Sequence, residues 1–393
     1  MSRLLFSFMG GHGHFVPLVP VARAAQNAGH DVAFACGPSR VAAVEADGFT
    51  AYPLEAAASS SSVGPERMPL RPLDPTREAD EFRDRFAGAA PRHKAPRLRA
   101  FCETWRPDVV VCDEADFGSL LAAEKLGLPY VSVNVMAAGS FVRPALISGV
   151  LNDVRAEMGL LPDPTLAMLG RYLVLSPFPI EFRDPAHPLP PTGHGFRPFE
   201  TTAVPTPPVR WPGQRVDAPL VYFSLGTVFN TESGDLFARV LAGLSRLPIN
   251  LLVTVGHDID PAELGPQPGH IRIERYVPQQ TVLPHCSLIV SHGGSGSVAG
   301  ALAHGVPMLL IPMGADQPQN AWRSEALGLG RWLDPLAASA DDVATCATQL
   351  LAEPAFRQTA DRFRTAFSAL PGPDDALRLI ERLIATQSPI LHR

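Results

Sequence analysis

Leu288-Ile289-Val290-Ser291-His292-Gly293-Gly294-Ser295-Gly296-Ser297 is an apolar stretch that runs into glycines and small hydroxyl residues. A helical run over residues 298–303 follows. A strand covered on both faces is apolar throughout, so residues 288–291 read as the centre of a parallel sheet. Glycines let a backbone approach a ligand closely, the first N–H groups of a helix point outward, and the helix dipole favours negative charge. The turn is therefore a candidate anion site, with the His292 imidazole and Ser297 hydroxyl as further donors. A tight strand-to-helix turn without a ligand is the plainer alternative.

Outward from this stretch, strands at 220–224, 251–254 and 308–311 alternate with helical segments, which describes a doubly wound α/β domain. The first half has the same pattern. Residues 4–8 read as a strand, a glycine-rich turn follows, and Leu18, Val21, Ala22, Ala25 and Ala28 keep helical spacing up to Gly29. Residues 31–36 then form the next strand, giving a βαβ unit with parallel strands. A further strand at 109–112, a helix at 118–126 and a strand at 130–133 extend it. Residues 56–75, rich in Ser, Pro and Ala, read as a mobile loop. Between Pro177 and Pro219 lie 12 of the chain's 41 prolines, too many for a helix or central strand, and the domain junction is placed there. Amphipathic segments near 340–352, 355–370 and 374–385 read as closing helices.

The composition supports two globular domains: 393 residues, 46% hydrophobic and 18% charged. A net charge of -6 with thinly spread Lys and Arg offers no stripe for nucleic acid and no polybasic membrane anchor. No signal peptide or membrane span is read, so the chain is expected to be cytoplasmic. Five scattered cysteines without a CxxC pair signal neither a disulfide framework nor zinc. The turn Met9-Gly10-Gly11-His12-Gly13-His14-Phe15-Val16-Pro17 resembles a dinucleotide fingerprint superficially. Its third glycine position holds Val16 and no acidic ribose partner follows, which disfavours a nicotinamide cofactor.

Two more elements complete the second half. Past the strand at 308–311 the loop presents Asp316-Gln317, where open α/β sheets bind ligands. A carboxylate beside a carboxamide suits vicinal hydroxyls, although Asp316 could equally cap the next helix. Tyr276-Val277-Pro278-Gln279 joins a strand to a helix and offers an aromatic face to a planar base. In this order the residues resemble the donor-binding signature of glycosyltransferase family 1, over about residues 220–330, and the chain is most similar to its bacterial antibiotic members. The resemblance implies the GT-B fold, two Rossmann-like doubly wound parallel-sheet domains facing a central cleft. It implies that Tyr276 stacks on the base, that the Val277 backbone reads the base edge and that Gln279 lies near the ribose. His292, the backbone at Gly294, Ser295 and Gly296, and Ser297 would carry the diphosphate. Asp316 and Gln317 would hold the sugar, with Thr227, in Ser224-Leu225-Gly226-Thr227, a weaker phosphate candidate. Plant members carry a Glu where this chain has Gly300, so a dTDP-sugar is expected over a UDP-sugar.

In the first half, an imidazole in the glycine turn is suited to take a proton near neutral pH. Asp113 closes the strand at 109–112 on the same sheet edge and is placed to orient it, as in a triad. The resemblance implies His14 as general base and Asp113 as its partner. His12 is the rival base, Asp116 the substitute acid, and local packing of His14 the alternative to both. The expected domains are 1–200, acceptor-binding; 201–218, a linker; 219–372, donor-binding; and 373–393, a C-terminal helix with the option of packing back on the first domain. The expected reaction is inverting transfer of a hexose or deoxyhexose to a small hydrophobic natural product. No Asp-x-Asp of the kind that holds a metal at a nucleotide-sugar site is read, so neither metal nor other cofactor is expected. The acceptor is expected to meet residues 56–75 and the apolar stretch 133–146. A nucleotide-sugar epimerase and a non-catalytic partner on the same fold are the alternatives, and a homodimer is left open.

Overall fold

The computed structural model describes residues 1–55, 67–199, 209–226 and 229–392. The chain divides into two compact units, residues 1–61, 76–199 and 370–393 in the first and residues 62–75 and 200–369 in the second.

The sheet of the first unit is built from β1 (Arg3–Ser7), β2 (Asp31–Cys36), β3 (Thr50–Pro53), β4 (Val109–Asp113), β5 (Tyr130–Val133), β6 (Leu173–Ser176) and β7 (Gly193–Gly195), in the order β3-β2-β1-β4-β5-β6-β7. Its pairings are parallel. Successive strand residues point to opposite faces, and the two cores sort accordingly. Leu4, Phe6, Phe34, Val109 and Val111 enter one core, while Leu5, Ala33, Ala35, Val110 and Cys112 enter the other. Both faces being covered explains the apolar runs. Onto the first core the helix Pro373–Thr386 lays Ala376, Leu377, Ile380 and Leu383 at helical spacing. Burying Ile380 and Leu383 stabilises this return of the chain by roughly 2 kcal/mol each.

The second unit contains β8 (Leu220–Ser224), β9 (Asn250–Thr254), β10 (Ile271–Glu274), β11 (Cys286–Ser291), β12 (Met308–Leu310) and β13 (Gly330–Trp332), ordered β10-β9-β8-β11-β12-β13 and also parallel. Each sheet reverses its strand order once, at β1/β4 and at β8/β11, and such switch points are where open α/β sheets bind ligands.

Several expectations are corrected. The segment 67–75 packs with the second unit, not the first: Met68 N–H donates to Thr231 O at 2.9 Å and Arg67 pairs with Glu263 at 2.5 Å. From Pro75 the chain is helical to Trp105, with wide π-type turns over Phe82–Ala89. Pro91 and Pro96 lack the N–H that the regular ladder needs and mask this helix in the sequence. The proline-rich stretch holds β7, an edge strand of three residues, where the ladder tolerates such a sequence. Among the described residues no helix is long and apolar enough to cross a membrane.

Candidate active site

After β1 the chain makes a sharp turn at Gly10, φ +82°, a conformation that favours glycine. A Cβ there would also come within 3.2 Å of His14 Cδ2. A one-turn helix, His12–Phe15, then begins, so His14 stands on helical backbone rather than in an open turn. Its Nδ1 lies 3.1 Å from Asp113 Oδ1, with the carboxylate fully buried and the imidazole 22% exposed. The register explains the meeting: Ser7 is opposite Cys112, so the next residues of β1 and β4 diverge at the same edge. Asp113 is the last residue of β4, where the sequence reading ended that strand at Cys112. Its Oδ2 accepts from Met9 N–H at 2.6 Å and its Oδ1 also from Ala115 N–H at 2.8 Å. Nδ1–H donating to the carboxylate leaves the Nε2 lone pair as the proton acceptor.

His12 is exposed. Asp116 caps the helix Phe117–Leu126 and binds Lys94, so it does not substitute for Asp113. Glu114 turns the other way and was missed. It accepts from Asn134 Nδ2 at 2.8 Å and from the N–H groups of Val135 and Met136 at 2.7 Å each, bracing the start of the stretch 133–146. Burial pushes its carboxyl up. Aromatic side chains approach the imidazole as well. Phe86 lies 6.4 Å from the His14 ring at 16°, Phe82 stacks on Phe86 at 5.3 Å, and Phe141 meets Phe82 edge-on at 4.9 Å. Phe82 and Phe86 come from the π-type turns, whose helix the prolines concealed.

In the second unit Ser291 pairs with Ser224, so the turns after β11 and β8 adjoin. Gly294 is the N-cap of the helix Ser295–His304, whose first N–H groups point outward at its start, a geometry suited to an anion. Ser295 Oγ donates to Asp316 Oδ2 at 2.6 Å. Asn320, fully buried, donates to Gly293 O at 2.9 Å and Asp316 Oδ2 at 2.9 Å. It ties the glycine turn to Asp316; its position one helical turn beyond Asp316 was the available signal. Asp316 occupies the N-cap position of Gln317–Ala326 without a side-chain capping bond. Gln317 is 3% exposed and its Oε1 accepts from Met313 N–H at 2.8 Å, so its carbonyl end braces the loop. Gln279 Nε2 donates to Ser297 Oγ at 3.1 Å. Tyr276 and Val277 lie in the loop after β10, with Tyr276 53% exposed and stacked on His257 at 5.5 Å.

The His292 ring lies between the backbones of Gly226 and Gly294 and is partly exposed. Cβ atoms added at Gly226 or Gly294 would collide with its ring. Its Nδ1 is buried with no hydrogen-bond partner among the described residues. Burial pushes the imidazole down to about 4, against the opposing pull of its hydrogen bond with the Ser224 backbone. It is therefore neutral near pH 7, with one ring N–H still able to donate. Gly296 is exposed at the helix start, and Thr227 lies outside the described residues. The triplet Asp258-Ile259-Asp260 has Asp-x-Asp spacing, but Asp260 caps the turn Pro261–Leu264 and faces Arg275 at 3.3 Å.

Comparisons with known proteins place the chain. Residues 238–383 match the family described as erythromycin biosynthesis protein CIII-like, C-terminal domain. The L-demethylnoviosyl transferase of Streptomyces niveus is 31% identical, over 84% of this chain and 84% of its own length. The TDP-daunosamine transferase of Streptomyces peucetius is 29% identical, over 98% and 97%. The structure of a spinosyn rhamnosyltransferase complexed with thymidine diphosphate superposes with a TM-score of 0.79 at 24% identity, covering 96% of this chain and all (100%) of that one. The chain belongs to the GT-B natural-product glycosyltransferases of antibiotic biosynthesis. It is a hexosyltransferase that takes its sugar from a nucleotide-sugar donor, and the epimerase and non-catalytic alternatives fall away.

Proposed function

We propose that the chain catalyses inverting, metal-independent transfer of a hexose or deoxyhexose from a dTDP-sugar to a hydroxyl of a small hydrophobic acceptor, with His14 as general base and Asp113 as its orienting partner. The observation that carries this reading is the 3.1 Å contact between His14 Nδ1 and a fully buried carboxylate at the β1/β4 switch point. An imidazole so held presents Nε2 to the acceptor hydroxyl in one tautomer, and the carboxylate stabilises the imidazolium formed as the proton arrives. Attack of the deprotonated oxygen at the anomeric carbon expels the nucleoside diphosphate in one displacement, which inverts configuration. The departing charge is met by N–H groups at the start of Ser295–His304 and by the Ser297 hydroxyl.

Support for thymidine over uridine comes from Gly300. A glycine supplies no acceptor for a ribose hydroxyl, and a Cβ there would meet Leu283 Cδ1 at 2.6 Å, so a side chain enters only if Leu283 shifts. The relative that acts on TDP-daunosamine agrees. Support for a hydrophobic acceptor comes from Phe86 beside the imidazole, backed by buried Phe82 and Phe141. His14→Ala tests the base. Glycoside formation followed by mass spectrometry alongside nucleotide release should fall about 1,000-fold while thymidine diphosphate binds as before. Near-normal turnover would reject the assignment.

A further inference from the structure

Behind the His14–Asp113 pair lies a buried cation that the reaction as described does not use. Lys94, on the helix Ala90–Trp105, is 7% exposed. Its Nζ donates to Phe8 O at 2.9 Å and to Asp116 Oδ2 at 2.5 Å. Asp116, fully buried, also accepts from Ser119 N–H at 3.1 Å and Ser119 Oγ at 2.7 Å, and Ser119 Oγ in turn reaches Ser7 Oγ at 3.1 Å. The approach depends on Gly118, where a Cβ would come within 3.0 Å of Lys94 Cβ and 3.3 Å of Pro91 Cα.

The Phe8 carbonyl and the Met9 N–H are the two ends of one peptide group. Lys94 holds its oxygen, and Asp113 Oδ2 holds its N–H at 2.6 Å. A chain of contacts therefore runs from a buried ammonium through a single peptide to the carboxylate that orients His14. A cation on the oxygen polarises the peptide and strengthens the N–H as a donor, the cooperativity expected of linked hydrogen bonds in a low-dielectric interior. The same clamp fixes the backbone immediately before Gly10, on which the His14 ring rests. Buried ion pairs contribute little stability compared with apolar replacements, so a pair in this position is better explained by what it orients.

We propose that Lys94 is a positioning residue for the transfer reaction, acting through the Phe8–Met9 peptide to hold Asp113 and, through it, His14. The inference rests on His14 being the general base. Ionisable groups near the ring among the described residues include Asp113 itself, His12, Arg40 and Asp47 beside the turn, and Arg85 over Phe86.

The test compares the full-length chain with Lys94→Met/Asp116→Asn, which removes both charges and leaves no buried carboxylate unpaired. Transfer is followed from dTDP-glucose to a panel of phenolic acceptors, and His14 is titrated by NMR of histidine-labelled protein. The double variant should melt within about 3 °C of the parent. Its kcat should fall about tenfold, with KM for dTDP-glucose unchanged. The His14 titration should move up by roughly half a unit, because a carboxylate with a weaker N–H donor attracts the imidazolium more strongly. A folded double variant with parental kcat and titration overturns the proposal. Should the double variant not fold, Lys94→Gln, which keeps a donor toward Phe8 O without the charge, is read in the same way. His14→Ala run in parallel separates the two ideas. Full activity in that variant removes the base assignment, whereas an inactive His14→Ala beside an unaffected Lys94 variant removes the role of Lys94 alone.

Discussion

The turns after β1 and after β11 each lie at the switch point of its own sheet, yet they are furnished in opposite ways. Around the first are buried ionisable groups: Asp113, Glu114, Asp116 and Lys94. Around the second are mostly neutral dipoles, Ser224, Ser291, Ser295, Ser297 and Asn320, with His292 kept uncharged and the Asp316 carboxylate held by Ser295 and Asn320. A group that must gain a proton during a reaction benefits from a fixed counter-charge nearby. A site that receives and releases a diphosphate does better with oriented N–H and O–H groups, which need no reorganisation and bind no counter-ion in advance. Under the proposed mechanism one topology serves both tasks, because side chains, not strand order, decide the electrostatics.

The comparison is broken most decisively at His14. Loss of its imidazole should leave the dipolar turn intact, so the roughly 1,000-fold loss of transfer in His14→Ala should come without loss of nucleotide affinity by calorimetry. Parallel loss of both would show that the turns are not separable. Gly294→Ala probes the other side. Its backbone, φ -60° and ψ 143°, accepts any residue, but the new methyl collides with the His292 ring. Displacing that ring should disturb the helix start and weaken thymidine diphosphate binding on the order of tenfold, while the His14 titration seen by NMR stays where it is. Unchanged affinity would mean that the glycine turn does not carry the diphosphate.

Gly300→Glu sharpens the comparison at the nucleoside. The new Cβ must push aside Leu283 Cδ1, the end of a flexible side chain, so the variant should fold with a modest penalty. Turnover on UDP-glucose relative to dTDP-glucose should rise by roughly fivefold, the scale of one added hydrogen bond. A parent chain that already prefers UDP-glucose would end the argument from Gly300.

The architecture was readable because parallel strands covered on both faces are apolar throughout, and 109–112 and 288–291 are such runs. The dyad was readable because both residues end or follow a strand at one sheet edge. What stayed hidden had no local signal. Lys94 sits in a helix interrupted by Pro91 and Pro96, and its partners Phe8 and Asp116 are remote in sequence. The segment 67–75 joins the second unit through backbone bonds such as Met68 to Thr231, which leave no pattern in side-chain type. The role of His292 also depended on packing. As a residue type it suggests a donor to phosphate, and only its surroundings show that the ring is held neutral between two glycines.

That last distinction predicts a pH effect on stability. The ordinary imidazole value is 6.5, and burial lowers His292 to about 4 in the folded chain. Between these values the unfolded chain binds a proton that the folded chain refuses, so the contribution of His292 is complete above about pH 6.5 and drains away as the pH falls toward 4. The loss is at most about 3 kcal/mol by pH 4. His270 and His304, also lowered by burial, act with the same sign and remain in place when His292 is replaced. Comparing melting temperatures of the parent and His292→Asn from pH 7.5 to pH 5 therefore isolates the one group, and the variant should show the shallower decline. Equal slopes would mean that the folded chain protonates this ring as readily as the unfolded one, and would end the argument from its burial.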